Sequence, residues 1–332
     1  MRAGLALAIA LLATLWAPTL AAAKETPAFT ITDSRITESS GLTRNASHRG
    51  WWTVNDSGEG GVVYALNSDG AVTGSFRYAA SPTDVEALAM YGNRLYVADI
   101  GDNEEKRDFI TVYYFSSPPT DGSTIPFRSF DFTYPDGPHD AETLLVDSAG
   151  RLYIVTKGKR GAIYAAPGVP SRSALNRLVK VGNAPAYVTD GVFMPNDQQI
   201  ALRTYVSVLM VDAISYKVEA SAPTPQQPQG ETIALSRNGQ QLLLGSEGNP
   251  STTYLVDVPK SKADSLPKAS ATPPPDPSAS PSADTTDTGD SGVTDSADSN
   301  ANPSGQGTLL ALGLAGVLAV TAGVVVAVVR RP

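Results

Sequence analysis

Glu86-Ala-Leu-Ala-Met90, Tyr91-Gly-Asn-Arg94 and Leu95-Tyr-Val-Ala98 read in succession as a short apolar strand, a tight turn and a second apolar strand. Gly and Asn supply the positive φ that such hairpin turns need. A polar loop leads to Ile110-Thr-Val-Tyr-Tyr-Phe115 and then to Arg128-Ser-Phe-Asp-Phe-Thr133. The stretch therefore predicts a four-stranded antiparallel unit opened by an acidic residue.

The same walk fits four other places. Glu38-Ser-Ser-Gly-Leu42, Glu142-Thr-Leu-Leu-Val146, Asp190-Gly-Val-Phe-Met194 and Glu231-Thr-Ile-Ala-Leu235 each place an acidic residue before an apolar strand. Units of about 45 residues with four strands each have the spacing of propeller blades. The last unit is one strand short, and Ala28-Phe-Thr-Ile-Thr32 stands ahead of the first unit with no repeat of its own. That segment is expected to close the ring by completing the last blade, which hides the final sheet edge. The expected fold is all-β, a five-bladed β-propeller. A six-bladed ring competes, because Ala201-Leu-Arg-Thr-Tyr-Val-Ser-Val-Leu-Met-Val-Asp-Ala213 can be divided in more than one way.

Both ends of the 332-residue chain read as addressing segments. Residues 1–23 carry Arg2, an apolar run and Ala21, Ala22 and Ala23, the pattern of a cleaved signal peptide. Residues 308–329 are apolar and long enough to cross a bilayer as a helix. Arg330 and Arg331 follow in the short tail 330–332, which places the tail in the cytoplasm and the rest outside, a single-pass type I protein. Residues 261–307 are rich in Pro, Ser, Thr and Asp, with seven Asp against Lys262 and Lys268. Such a segment cannot bury enough apolar surface to order itself, so it reads as a disordered stalk. The folded domain is then 24–260.

Composition narrows the chemistry. The net charge of −8 argues against nucleic acid as a partner. With no cysteine, thiolate zinc and redox sites are excluded. Only His48 and His139 are present, and no G-x-S-x-G or HExxH string supplies a nucleophile elbow or a zinc helix. The loop from Asp99 to Glu104 lacks the side-chain oxygens and the glycine of an EF-hand. Trp51, Trp52, Tyr91, Tyr96, Tyr113 and Tyr114 could form a stacking platform for a sugar, but at alternating strand positions they are expected in the core between blades.

The strings WWTVNDSGEGGVVYALNSDG, DVEALAMYGNRLYVADIGDNEEKRD and YPDGPHDAETLLVDSAGRLYIVTK resemble the blades of uncharacterised secreted, membrane-anchored β-propeller proteins of actinobacterial cell surfaces. More loosely, they are similar to secreted bacterial propellers with tyrosine-valine strand motifs. The resemblance spans most of the folded domain. It implies a fold and a cell-surface location, and no activity.

In a radial architecture equivalent residues meet around one axis, so Glu38, Glu86, Glu142, Asp190 and Glu231 are expected to form an axial carboxyl ring, a candidate cation site. Second strands end on the same face, which brings Asp56, Asp99, Asp102, Lys157, Arg203 and Glu247 beside the ring, with His139 near the mouth. Five close carboxylates need a balance. Pairing with Lys157 and Arg203, a Ca²⁺ ion on the axis, or partial protonation would each supply it. The expected function is recognition of an envelope or extracellular protein or glycan through the loop face, with membrane attachment by the C-terminal helix. The alternative is a Ca²⁺-dependent hydrolase of a glycoside, ester or lactone at the channel mouth.

Overall fold

The computed structural model describes residues 25–45, 49–57 and 60–261. The signal segment, the stalk beyond Ser261, the span 308–329, the tail and His48 lie outside the described residues. Among the described residues there is no helix, and so none that could cross a membrane.

The chain opens with β1 (Thr26–Ile31) and then builds its blades in order. The first contains β2 (Ser39–Asn45), β3 (Gly50–Asn55), β4 (Val62–Leu66) and β5 (Val72–Tyr78). The second contains β6 (Val85–Tyr91), β7 (Arg94–Asp99) and β8 (Ile110–Ser116); after the short β9 (Asp121–Ile125) it ends with β10 (Arg128–Thr133). The third runs through β11 (Ala141–Val146), β12 (Leu152–Thr156) and β13 (Gly161–Ala165); past β14 (Asn176–Arg177) it ends with β15 (Val179–Ala184). The fourth is β16 (Val188–Phe193), β17 (Gln199–Thr204), β18 (Ser207–Asp212) and β19 (Val218–Pro223). The fifth is β20 (Gly230–Leu235), β21 (Gln241–Ser246), β22 (Ser251–Asp257) and, from the N-terminus, β1.

The protein is a five-bladed β-propeller. Its closure is the expected one: β1 pairs antiparallel with β22, from Thr26 opposite Leu255 to Ile31 opposite Ser251. The ambiguous segment of the fourth blade folds as a tight hairpin in which Thr204 Oγ1 accepts from the N–H groups of Val206 and Ser207. That turn gives the fourth repeat a full complement of strands and excludes a sixth blade. Two strands have no counterpart in the repeat pattern. Short β9 adds in parallel to β5 of the preceding blade, and β14 adds in parallel to β10. Each covers an outer edge that would otherwise present unpaired backbone groups.

Inner and middle strands are buried on both faces, which is why AETLLV and GWWTVN read as continuous apolar runs rather than as alternations. Outer strands such as β19 alternate and face water. Each gap between neighbouring blades is filled by its own hydrophobic cluster. In the first blade Trp52 packs edge-on against Phe76 with ring centroids 5.7 Å apart, and Phe76 in turn meets Phe115 of the second blade at 5.0 Å. Between the third and fourth blades the filling is aliphatic, with Val155, Ile163, Ile200 and Leu202 at its centre. Trp51, Trp52, Tyr96, Tyr113 and Tyr114 are all buried in these clusters, whereas Tyr91 at the end of its inner strand is 39% exposed and lies outside the core expected for it.

Candidate functional site

One irregularity recurs at the start of every inner strand. Pairing of the first strand with the second skips a residue between Ser39 and Gly41, Val85 and Ala87, Ala141 and Thr143, Val188 and Asp190, and Gly230 and Thr232. The extra residues are Ser40, Glu86, Glu142, Thr189 and Glu231. A bulge leaves its residue outside the ladder and re-aims the side chain. Register therefore corrects the expected ring in two blades. Glu38 stands two residues ahead of the bulge and Asp190 one residue behind it, because a five-letter strand pattern carries no mark of where pairing slips.

Around the channel entrance the side chains lie in two tiers. Ser40, Glu86, Glu142, Thr189 and Glu231 form the inner tier, and all are buried. Two residues earlier stand Glu38, Asp84, Asp140, Tyr187 and Gln229, the more accessible outer tier. The outer tier is pinned through backbone bonds to the ends of the second strands. Asp56 N donates to Glu38 O at 3.1 Å, Gly101 N to Asp84 O at 3.2 Å, Lys157 N to Asp140 O at 2.9 Å and Glu247 N to Gln229 O at 2.9 Å. The fourth blade departs from this pattern, since Tyr187 N donates to Gly158 O of the third.

This packing sets Glu38, Asp56, Asp84, Glu86, Asp140, Glu142, Glu231 and Glu247 in one continuous electrostatic neighbourhood. Burial, reinforced by the Glu142 charge, pushes Glu86 up to about 10. Asp84 is raised by burial and then by Asp140, while its hydrogen bond with the Glu86 carboxyl acts in the opposite direction. Burial and Glu38 lift Asp56 to about 6, and burial and Glu231 lift Glu247 to about 7. Glu142 and Glu231 are also raised, in both cases chiefly by burial. Like charges in a poorly solvated space disfavour one another's ionised forms, so protons supply much of the balance.

Two cations supply the rest: the buried Arg203, whose charge favours the ionised forms of Asp190 and Glu231, and Lys157. The Lys157 ammonium makes a direct ion pair with Glu142 Oε1 and lies 5.4 Å from the centre of the Tyr205 ring. Burial pulls Lys157 down, but the Glu142 carboxylate more than offsets this and holds the ammonium above its ordinary range. The second oxygen of Glu142, Oε2, is buried with no hydrogen-bond partner within the protein, as is Asp56 Oδ1. Both carboxyls thus keep unused acceptor capacity below the surface of the mouth.

The remaining expected residues do structural work. Asp99 accepts from the N–H groups of Thr83 and Asp84 at 3.1 Å and 3.0 Å and from the Arg107 guanidinium at 2.8 Å, which fixes the Asp84 loop. Asp102 accepts from the N–H groups of Lys106 and Arg107 and so closes its own turn. Asp190 stitches blades together by accepting from Gly191 N and, across the gap, from Ile233 N at 2.9 Å. Arg203 is fully buried and bonds the carbonyls of Thr232 and Gly245 and the side chain of Gln227. A Cβ on Gly230 would lie 2.1 Å from Arg203 Nη2, so this blade junction needs a glycine. His139 bonds Asp136 at 3.1 Å and Tyr164 Oη at 3.0 Å in a surface depression that Lys157 also lines, beside the acidic mouth.

Three residues at the mouth escape the repeat pattern. Asp84 and Asp140 precede Glu86 and Glu142 by two, and this acid spacing is visible in Asp84-Val-Glu86 and Asp140-Ala-Glu142. Tyr187 carries no such signal. With Tyr205 and Val206 it makes an exposed apolar rim, 42%, 40% and 74% accessible, at the sector where the fourth blade contributes no acid. As for calcium, among the described residues no group of three or more His, Asp or Glu side chains is disposed to hold a metal ion. The carboxyls surround the entrance without converging on one point.

No family model matches the chain, and no curated protein matches it in sequence. Among solved structures it is similar to a glutaminyl cyclase of Myxococcus xanthus, with 14% identity and a TM-score of 0.46, over 70% of this chain and 97% of that one. A gluconolactonase of Xanthomonas campestris gives 13% identity and a TM-score of 0.38, over 71% of this chain and 96% of that one. A glucose dehydrogenase gives 10% identity and a TM-score of 0.45, over 70% and 99%. Identities and TM-scores this low carry no argument about the chemistry of this chain.

Proposed function

We propose that this chain is a cell-surface binding protein, exported by residues 1–23, anchored by 308–329 and held off the membrane by the stalk. Its propeller takes a cationic group of an envelope or extracellular partner into the acidic mouth. The observation that carries this is Glu142 Oε2: a buried carboxyl oxygen without a partner, just beneath the mouth, with Lys157 already committed to Oε1. A bound ammonium or guanidinium would satisfy it by a charge-assisted hydrogen bond. The exposed Tyr187 and Tyr205 rings offer the same ligand apolar and cation–π contact.

The test is calorimetric titration of the full-length chain with spermidine and with trilysine, with glucose as a neutral control and CaCl₂ as a separate arm. Saturable binding of the polyamine or peptide, weakened at least about tenfold by Glu142→Gln, supports the proposal. Binding of Ca²⁺ alone would move the site to the metal class. Binding of neither cation would end the proposal.

A second reading rests on the Glu86 and Asp84 pair, two hydrogen-bonded carboxyls of which the buried Glu86 is pushed up to about 10 and Asp84 is the more accessible. Such a pair suits proton transfer in the cleavage of a glycoside, ester or lactone. Turnover of a member of these classes that disappears in Glu86→Gln would favour an enzyme. Turnover that survives the change would remove the pair from the mechanism.

A further inference from the structure

The inner strands finish at the opposite face, and there the channel changes character. Leu42, Leu88, Met90, Val146, Phe193 and Leu235, drawn from all five inner strands, wall a cavity of about 440 Å³. That volume falls within the roughly 300–1,000 Å³ of small-molecule sites. Among the described residues no carboxylate lines it. Arg44 and Arg237 stand on its rim with Asn238 and Ser236. Arg44 Nη1 donates to the Arg237 carbonyl at 3.3 Å, and the Arg237 guanidinium donates to the Arg49 carbonyl. Among the described residues neither arginine has a carboxylate partner.

Two guanidinium groups without counter-ions on one apolar mouth reverse the local charge of a chain whose net charge is −8. We infer that this cavity is a second ligand site for a single-chain anionic amphiphile. Its hydrocarbon tail lies among the inner strands and its carboxylate rests on Arg44 and Arg237. A guanidinium fork matches a carboxylate in two parallel hydrogen bonds, and an apolar wall with a few placed polar groups is the general form of such pockets. The acidic mouth would repel this ligand. It lies at the other end of strands of six or seven residues, about 20 Å away at ~3.3 Å per residue.

The experiment titrates the full-length chain, below micellar concentrations, with octanoate, decanoate and dodecanoate, and in parallel with decanol and decyltrimethylammonium. One-to-one binding is expected, tightening roughly fourfold per added methylene until the cavity is full. Decanoate should bind at least about tenfold tighter than decanol, and decyltrimethylammonium weakest of all. The double change Arg44→Gln with Arg237→Gln is expected to bring decanoate down to the level of decanol and leave decanol unchanged. Met90→Trp, which fills the cavity, should abolish both while the melting transition stays cooperative. No saturable binding of any carboxylate, equal affinity for decanoate and decyltrimethylammonium, or binding indifferent to Met90→Trp would each overturn the inference.

Discussion

The two ends of the channel are made by the same five strands and differ in almost everything else. Where the inner strands begin, a bulge in each blade turns one side chain out of the ladder, and in three blades that residue is glutamate. Where they end, pairing is regular up to the hairpin turns, and leucine, methionine, valine and phenylalanine close around an apolar cavity. The contrast teaches that the fold itself is indifferent to ligand. A repeated one-residue slip in register, and not a motif, decides which end is polar.

The largest expected effect falls on the joint that keeps the acidic end in shape. Arg203→Ala strands the buried carbonyls of Thr232 and Gly245, so a loss of about 4 kcal/mol is expected. In a domain of this size that lowers the melting temperature by roughly 10 °C. A variant that melts like the parent would mean that the fourth and fifth blades are held without it. Next is Lys157→Met, which leaves Glu142 without its countercharge and should cost about 2–3 kcal/mol in denaturant titration at pH 8. The loss should shrink in acid, where Glu142 can take up a proton instead.

A third effect is the pH dependence. The folded-state values of Glu86, Glu247 and Asp56, about 10, 7 and 6, lie above those of an unfolded chain. The folded protein therefore binds more protons than the unfolded one, and stability is fully present below about pH 4 and lost as pH rises through these values. Glu86 alone contributes a slope of at most about 1.4 kcal/mol per pH unit. Melting temperature should fall steadily from pH 5 to pH 9, and Glu86→Gln should flatten the curve. A parent curve that rises over this range would refute the shared-proton description.

Smaller still is Gly101→Ala. An added Cβ would stand 2.4 Å from Asp84 Oδ2 and 2.8 Å from Glu86 Oε1, which should cost about 1–3 kcal/mol and part the two carboxyls. Smallest is Tyr187→Ala, which should leave stability within about 0.5 kcal/mol and weaken only ligand binding. An equal loss of stability would mean that the exposed ring is structural.

Much of this architecture is legible in the sequence, because it rests on local pattern. Alternation, Gly-Asn turns and the orphan segment around Phe29 and Ile31 lead to five blades and their closing strand. The acidic end was legible as a place and misread in detail. Glu38 and Asp190 look equivalent to Glu86 in the sequence, yet a bulge shifts the true equivalents to Ser40 and Thr189. Arg203 looks like a ligand contact until the fold buries it against Gly230, a tertiary event with no local signature. Strands β9 and β14 are equally silent, since they form only where a neighbouring edge awaits cover.

The central claim is that the acidic mouth stores protons which a cation displaces. Calorimetric titration of spermidine at pH 7 in buffers of different ionisation enthalpy counts the protons exchanged on binding. The account predicts net proton release that disappears below pH 5, where the unbound carboxyls hold their protons too firmly for binding to occur. Binding with no proton release at pH 7 would contradict it.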